Sequence, residues 1–103
     1  MARFIFVYHG GSTPQSEEEG KAVMAEWMAW FEKLGAAVID GGAPLGMSRT
    51  VTTGGVADGG GANPASGYSL IEAADIDAAS EMATGCPILK AGGAVEVAET
   101  LQM

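Results

Sequence analysis

The chain contains a single histidine, His9, placed where an apolar segment runs into Gly10-Gly11. An imidazole with an ordinary pKa of about 6.5 can exchange protons near neutral pH. His9 is therefore the first candidate for a general acid–base group. The structural alternative is a histidine that only makes a fixed hydrogen bond.

Asp40 occupies a similar position, at the end of a second short apolar segment and before Gly41-Gly42. If this strand end lies near His9, the Asp40 carboxylate could orient the imidazole in a catalytic pair. The alternative is an ordinary Asp-Gly turn, in which the carboxylate bonds the local backbone.

Three further residues are candidates for ligand binding: Ser12, Asn63 and Tyr68. Ser12 and Tyr68 carry hydroxyl donors close to predicted strand ends. Asn63 belongs to a long glycine-rich segment, and such loops often close over pockets, although Asn-Pro is also common turn chemistry. Cys86 has little nearby positive charge to activate it, so we expect a packed thiol.

Several kinds of site lack their usual patterns. The glycine pairs match neither a dinucleotide-binding nor a phosphate-binding loop. One histidine with scattered acids gives no common metal-ligand spacing, and no G-x-S-x-G elbow is present. We therefore expect neither a bound metal nor an organic cofactor.

The bulk composition bounds the class of protein. The 103 residues predict one domain spanning 1–103, with 48% hydrophobic and only 17% charged residues. A net charge of −8 with five basic residues argues against binding to nucleic acid or to an anionic membrane. A single cysteine excludes an intramolecular disulfide, and the apolar runs are short of membrane length. A cytoplasmic protein is the expectation.

The segment that positions His9 is a predicted strand over 3–9. Alternation places Phe4, Phe6 and Tyr8 on one face, and Ile5, Val7 and His9 on the other. Because both faces are apolar, the strand is expected to be central in a sheet and covered on both sides.

A helix is predicted to follow, capped by Ser16 with Glu19 in a capping box and ending at Leu34 before Gly35. Its apolar stripe includes Trp27 and Trp30. This stripe favours a helix packed on a sheet, with a ligand-binding aromatic box as the less favoured alternative.

The other predicted elements complete a repeating pattern. They are strands over 36–40, 48–53, 67–73 and 94–101, a loop over 54–66, and a second helix capped by Asp75 and running to 84, with Ile76, Ala79, Met82 and Ala83 facing inward. The order β-α-β-β-β-α-β predicts an α+β ferredoxin-like sandwich, an antiparallel sheet with two helices on one face. The second sheet face would then be bare, and a homodimer is the expected cover.

With these elements in place, the chain resembles the YCII-related domain family, also called the DGPF domain family. The resemblance is carried by FIFVYHGG, VIDGGAPLG, GGANPASGYSLIEA and GCPILKAGGAVEVAE, and it spans essentially the whole chain. It implies a ferredoxin-like fold that forms dimeric α/β barrels, with no bound organic cofactor. One branch of the family is proposed to use a first-helix histidine with an aspartate near the first strand. The present first helix has no histidine, so that pair does not transfer.

Three functions remain in competition, of which the least favoured is a structural dimer that binds no ligand. The first is a small cofactor-free enzyme or ligand-binding dimer acting on a small molecule, with His9 as general acid–base. The second is a non-catalytic sensing module, since some relatives accompany sigma-type transcription factors.

Overall fold

The computed structural model describes residues 1–102. The helices and strands, in chain order, are β1 (Ala2–His9), α1 (Glu17–Leu34), β2 (Val38–Pro44), β3 (Arg49–Thr52), β4 (Gly55–Asp58), β5 (Ala65–Ala73), α2 (Ile76–Ala83) and β6 (Ala94–Glu99). Two short 3₁₀ turns, Gly35–Ala37 and Pro87–Leu89, precede β2 and β6.

Four strands form an antiparallel sheet in the order β2-β5-β1-β6. β1 lies between β5 and β6, which confirms its central position. This strand order, with one helix after β1 and one after β5, is the ferredoxin-like arrangement predicted from the sequence.

One face of the sheet carries the core. Phe4, Phe6 and Tyr8 are buried there, and Trp30 of α1 and Ala79 of α2 pack against them. Both helices therefore cover the same face. This is the expected consequence of the strand's alternation, because only every second side chain can reach the helices.

The ends of α1 are set by local chemistry. The Ser16 hydroxyl accepts a hydrogen bond from the Glu19 backbone N–H at 3.1 Å, and Gly35 follows the last turn with a φ of 57°. A side-chain cap and a left-handed glycine satisfy backbone groups that a helix end leaves unpaired. The predicted bounds of this helix are confirmed.

The opposite face of the sheet carries Ile5, Val7 and His9, all half-buried. Both helices lie on the other side, so within residues 1–102 no helix covers these side chains. The sequence predicted that both faces of β1 are covered, whereas the single chain covers only the face on which the two helices pack.

The prediction for the middle of the chain was wrong in two respects. The predicted strand over 48–53 is present as β3, but it pairs only with β4 in a separate hairpin and not with the main sheet. β4 lies inside the stretch predicted as a loop. Its sequence, GVAD, is short and poor in strand-forming residues, so pairing with β3 decides its conformation.

β2 was also predicted with the wrong bounds. It begins at Val38, because the preceding residues form a 3₁₀ turn, and it continues through Gly41-Gly42 to Pro44. Irregularities in its pairing with β5 absorb the two glycines. Gly42 has a φ of 73°, a conformation that favours glycine.

Smaller corrections concern the C-terminal half. β5 starts two residues earlier than the strand predicted over 67–73. β6 ends two residues earlier than the strand predicted over 94–101. In α2, Ala79 and Ala83 are buried as predicted, but Ile76 is 50% exposed. Ile76 is the first residue of the helix, and helical side chains point back toward the N-terminus, away from the packed surface. Among residues 1–102, no helix is long and apolar enough to cross a membrane.

Candidate functional site

His9 lies at the end of β1, and an irregularity in strand pairing brings it to a loop. Tyr8 pairs with Gly67, but His9 pairs with Ala65, so one residue of β5 is skipped. This bulge turns the end of β1 toward the chain that enters β5. The His9 Nδ1 consequently lies 3.1 Å from the carbonyl oxygen of Asn63 and 3.2 Å from that of Pro64.

The other imidazole nitrogen contacts a carboxylate from the neighbouring strand. On β6, Glu96 pairs with Val7 and Ala94 pairs with His9, so Glu96 is the diagonal neighbour of His9 on the same face. The His9 Nε2 lies 2.9 Å from Glu96 Oε1. The Glu96 side chain is 62% exposed, whereas that of His9 is 11% exposed.

These contacts favour the charged form of His9. The two carbonyl oxygens can only accept, so Nδ1 must carry a hydrogen to bond them, and an ionised carboxylate requires a hydrogen on Nε2 as well. The hydrogen bond with Glu96 is the main cause that raises the pKa of His9 above its ordinary 6.5, and the backbone carbonyls act in the same direction. The site is therefore a histidine whose charged form is favoured, paired with an accessible carboxylate.

Asp40 does not contact His9 in this structure. Its Oδ1 accepts a hydrogen bond from the Gly42 backbone N–H at 2.8 Å, which is the turn geometry weighed against a catalytic role. Asp40 lies on β2, where it pairs with Leu70, and β5 separates β2 from β1. The carboxylate that holds the imidazole is Glu96.

The three ligand-binding candidates lie in different surroundings. Asn63 reaches the site through its backbone, as the carbonyl acceptor for His9. Ser12 is exposed, and its backbone N–H donates to the Ala91 carbonyl at 3.0 Å. Tyr68 is half-buried and lines a cavity of about 300 Å³ between α1 and the ends of β2 and β5.

That cavity has aromatic walls and lies next to a buried hydrogen-bonded chain. The Tyr8 hydroxyl donates to the Ser69 hydroxyl at 2.7 Å, and the Ser69 hydroxyl donates to the Gly41 carbonyl at 2.7 Å. Burial raises the pKa of Tyr8, so its phenol stays neutral under ordinary conditions.

The thiol of Cys86 is buried, as the sequence predicted. Burial raises its pKa to about 11, which leaves almost no reactive thiolate near neutral pH. Within residues 1–102, no group of three histidine, cysteine or acidic residues is arranged to hold a metal ion.

The sequence did not single out Glu96 or Pro64. Glu96 had a detectable signal, because the alternation in AVEVAE places it on the face opposite Val95 and Val97. Linking it to His9 required knowing that β6 pairs with β1. Pro64 contacts His9 through its backbone carbonyl, which every residue type has, so the sequence could not indicate this contact.

Comparison with known proteins identifies the relatives of this chain. The structure is similar to that of the 5-chloro-2-hydroxyhydroquinone dehydrochlorinase TftG from Burkholderia phenoliruptrix in complex with 2,5-dihydroxybenzoquinone. The TM-score is 0.55 at 20% identity, covering 96% of this chain and 95% of that one. At this identity the similarity shows a common fold. None of the functionally curated proteins matches the chain. The model of the YCII-related domain matches residues 4–103, and the chain belongs to that family.

Proposed function

We propose that this protein is an enzyme that acts on a small organic molecule, with His9 as its general acid–base group and without a bound organic cofactor. The observation that carries the proposal is the His9–Glu96 pair at 2.9 Å, an imidazole held on one side by carbonyl oxygens and on the other by an exposed carboxylate. Fixed orientation and a perturbed pKa are typical of acid–base groups in active sites.

The proposed proton transfer follows from the hydrogen bond between His9 Nε2 and the Glu96 carboxylate. In the resting protein, the Glu96 carboxylate occupies the place that an acceptor atom of a substrate would take. Glu96 is mostly exposed and can move aside. The Nε2–H bond would then break as its proton passes to the substrate, and a later proton transfer from the product side or from water would restore the imidazolium.

The structural neighbour is compatible with this proposal in general terms. TftG is a dehydrochlorinase whose structure contains a small hydroxylated quinone. The fold therefore supports small-molecule chemistry in at least one protein. Neither the family match nor this neighbour supports the sensing alternative. The proposal includes a cytoplasmic location and a homodimer, the latter expected from the apolar residues on both faces of β1 and the low charged fraction.

The test compares conservative variants on one panel of substrates. We would incubate the protein with small hydroxylated quinones and phenols, starting with 2,5-dihydroxybenzoquinone, and follow consumption by absorbance and mass spectrometry. We expect His9→Gln to lower turnover by about 100-fold or more, the usual contribution of an acid–base group. Glu96→Gln should lower it less, because the amide oxygen still accepts from Nε2.

The matched control is Glu99→Gln, which removes the same charge from an exposed position on the same strand. It should retain full turnover. Full turnover by His9→Gln would contradict the acid–base role. Binding without turnover of any compound by the unmodified protein would favour a non-catalytic ligand-binding protein.

A further inference from the structure

The cavity between α1 and the ends of β2 and β5 has the features of a ligand site that is separate from His9. Its volume is about 300 Å³, and its larger lining residues are Tyr8, Met24, Trp27, Phe31, Tyr68 and Ile88. Tyr68 pairs with Val7 and so directs its side chain to the open face of the sheet, which leaves Tyr8, Trp27 and Phe31 as the aromatic wall. The remaining lining residues are small or are proline, so much of the wall is backbone. An apolar wall with few polar groups is typical of small-molecule sites.

The aromatic side chains form a corner and not a flat surface. The rings of Tyr8 and Trp27 are 4.9 Å apart at 80°, and those of Trp27 and Phe31 are 5.9 Å apart at 44°. A planar ring placed in such a corner can stack on one wall and meet the edge of another, and both arrangements are favourable.

Glycine keeps the β2 side of the cavity open. A Cβ atom on Gly41 would meet only Phe31 Cζ, at 4.0 Å, so a longer side chain there would extend toward the aromatic wall. Gly41 is not among the glycines with positive φ, so a side chain at this position causes no backbone strain. The space that a larger residue would fill is available to a ligand.

We propose that this cavity binds a small, planar, uncharged ring compound carrying a hydroxyl or amino group directed at the Tyr8 hydroxyl. None of the lining residues is charged, and the chain carries a net charge of −8, so an anionic ligand would find no cation and a repulsive field. The Tyr8 hydroxyl already donates to Ser69, which leaves its oxygen free to accept from a ligand.

The size of the cavity restricts the ligand further. A volume of about 300 Å³ lies at the lower limit of small-molecule cavities. It admits one or two fused rings and excludes a peptide segment or an extended cofactor.

This site goes beyond the function proposed for His9. Tyr8 and His9 are consecutive on β1, so their side chains point to opposite faces of the sheet. Tyr8 belongs to the face covered by the helices, whereas His9 bonds Glu96 on the open face. The cavity and the acid–base pair can therefore be tested separately.

The probe is 2-naphthol, an uncharged two-ring compound with one hydroxyl, measured by isothermal titration calorimetry. We expect saturable binding of 2-naphthol, and weaker binding of the anion 2-naphthoate. Gly41→Leu should lower the affinity for 2-naphthol by about tenfold or more, because the leucine side chain fills the cavity. Gly46→Leu is the matched control, because Gly46 does not line the cavity and has open space around its Cβ position.

A second set of variants tests the site if Gly41→Leu does not fold. Met24 and Met28 lie one turn apart on α1 and are similarly exposed, at 62% and 65%, but only Met24 lines the cavity. Met24→Ala should weaken the binding of 2-naphthol, and Met28→Ala should leave this binding unchanged. Tyr8→Phe should lower the affinity for 2-naphthol by about fivefold, because one hydrogen bond is lost. It should leave the affinity for naphthalene, which has no hydroxyl, unchanged.

His9→Gln separates this proposal from the enzymatic one, since it should leave 2-naphthol affinity unchanged. Three results would overturn the proposal: no binding of 2-naphthol, tighter binding of 2-naphthoate, or equal affinity in Met24→Ala and Met28→Ala. Loss of binding in His9→Gln alone would place the probe on the open face instead.

Discussion

The imidazole of His9 is held between acceptors on both nitrogens, which determines how it titrates. The Glu96 carboxylate and the carbonyls of Asn63 and Pro64 all favour the imidazolium. His9 therefore keeps its proton to a higher pH in the folded protein than in the unfolded chain, where its pKa is the ordinary 6.5. At any given pH near neutrality, His9 is therefore protonated to a greater extent than a histidine in the unfolded chain.

This shift predicts a pH-dependent stability. Because the pKa is raised on folding, the stabilisation is fully present below about pH 6.5 and is lost as the pH rises through the folded-state pKa. The free energy of unfolding should fall over that window in the unmodified protein and stay flatter in His9→Gln. Urea denaturation at a series of pH values measures it. An NMR titration that gives His9 a pKa at or below 6.5 would contradict the prediction.

The two tryptophans of α1 should differ in their contribution to stability. Trp30 is 5% exposed, stacks near Phe6 and donates from Nε1 to the Met82 carbonyl at 3.1 Å. Trp27 is half-buried and lines the cavity. We expect Trp30→Ala to lower the free energy of unfolding by about 3–5 kcal/mol, and Trp27→Ala by clearly less.

Chemical denaturation of both variants measures this difference. Equal losses would mean that Trp27 is as firmly packed as Trp30. Such a result would restore the expectation of a continuous packed stripe and weaken the case for a cavity at Trp27.

At the scale of elements, β2 depends on one backbone position. Gly42 has a φ of 73°, and a Cβ atom there would overlap the Tyr68 carbonyl oxygen. That approach is sterically impossible, so any side chain must displace β2 from β5. β2 is the edge strand that carries part of the cavity wall.

We therefore predict that Gly42→Ala destabilises the protein by more than about 1 kcal/mol, since alanine is incompatible with the native φ. Gly46→Ala is the control, because its φ is not positive and its Cβ position is open. Thermal unfolding distinguishes the two variants. Equal midpoints for Gly42→Ala and Gly46→Ala would show that β2 adapts without cost.

The whole molecule is flat and has an uncovered side. Its extents are 43 × 43 × 19 Å, and its radius of gyration of 14.8 Å exceeds the roughly 13 Å expected for a compact chain of this length. The β3–β4 hairpin contributes exposed apolar side chains, with Val51 at 72% and Val56 at 65% exposure. On the open sheet face, Ile5 and Val7 are only half-buried.

A second copy is the cover that we propose for the open face, and the predicted assembly is a homodimer. Burying this surface would stabilise association through the hydrophobic effect. Sedimentation equilibrium at micromolar concentration should give about twice the chain mass of 10.4 kDa. Val7→Asp, placed on the open face, should shift the equilibrium toward the monomer, whereas Val51→Asp tests the hairpin separately. A mass near 10.4 kDa for the unmodified protein would contradict the proposal.

The sequence by itself determined the elements whose signals are local. Ser16, Glu19 and Gly35 specify both ends of α1, because capping depends on residues within one turn. The alternation in β1 specified which side chains enter the core, since it depends only on the strand period. Together with the order of elements, these signals were sufficient for the ferredoxin-like class.

Only the tertiary structure decided which strands and side chains meet. β4 is a strand because β3 pairs with it, and β2 continues through two glycines because β5 holds it there. The partner of His9 is Glu96, 87 residues away, and not Asp40. A contact of that kind depends on strand order and on one skipped residue in pairing, and neither quantity is encoded in the local residue pattern.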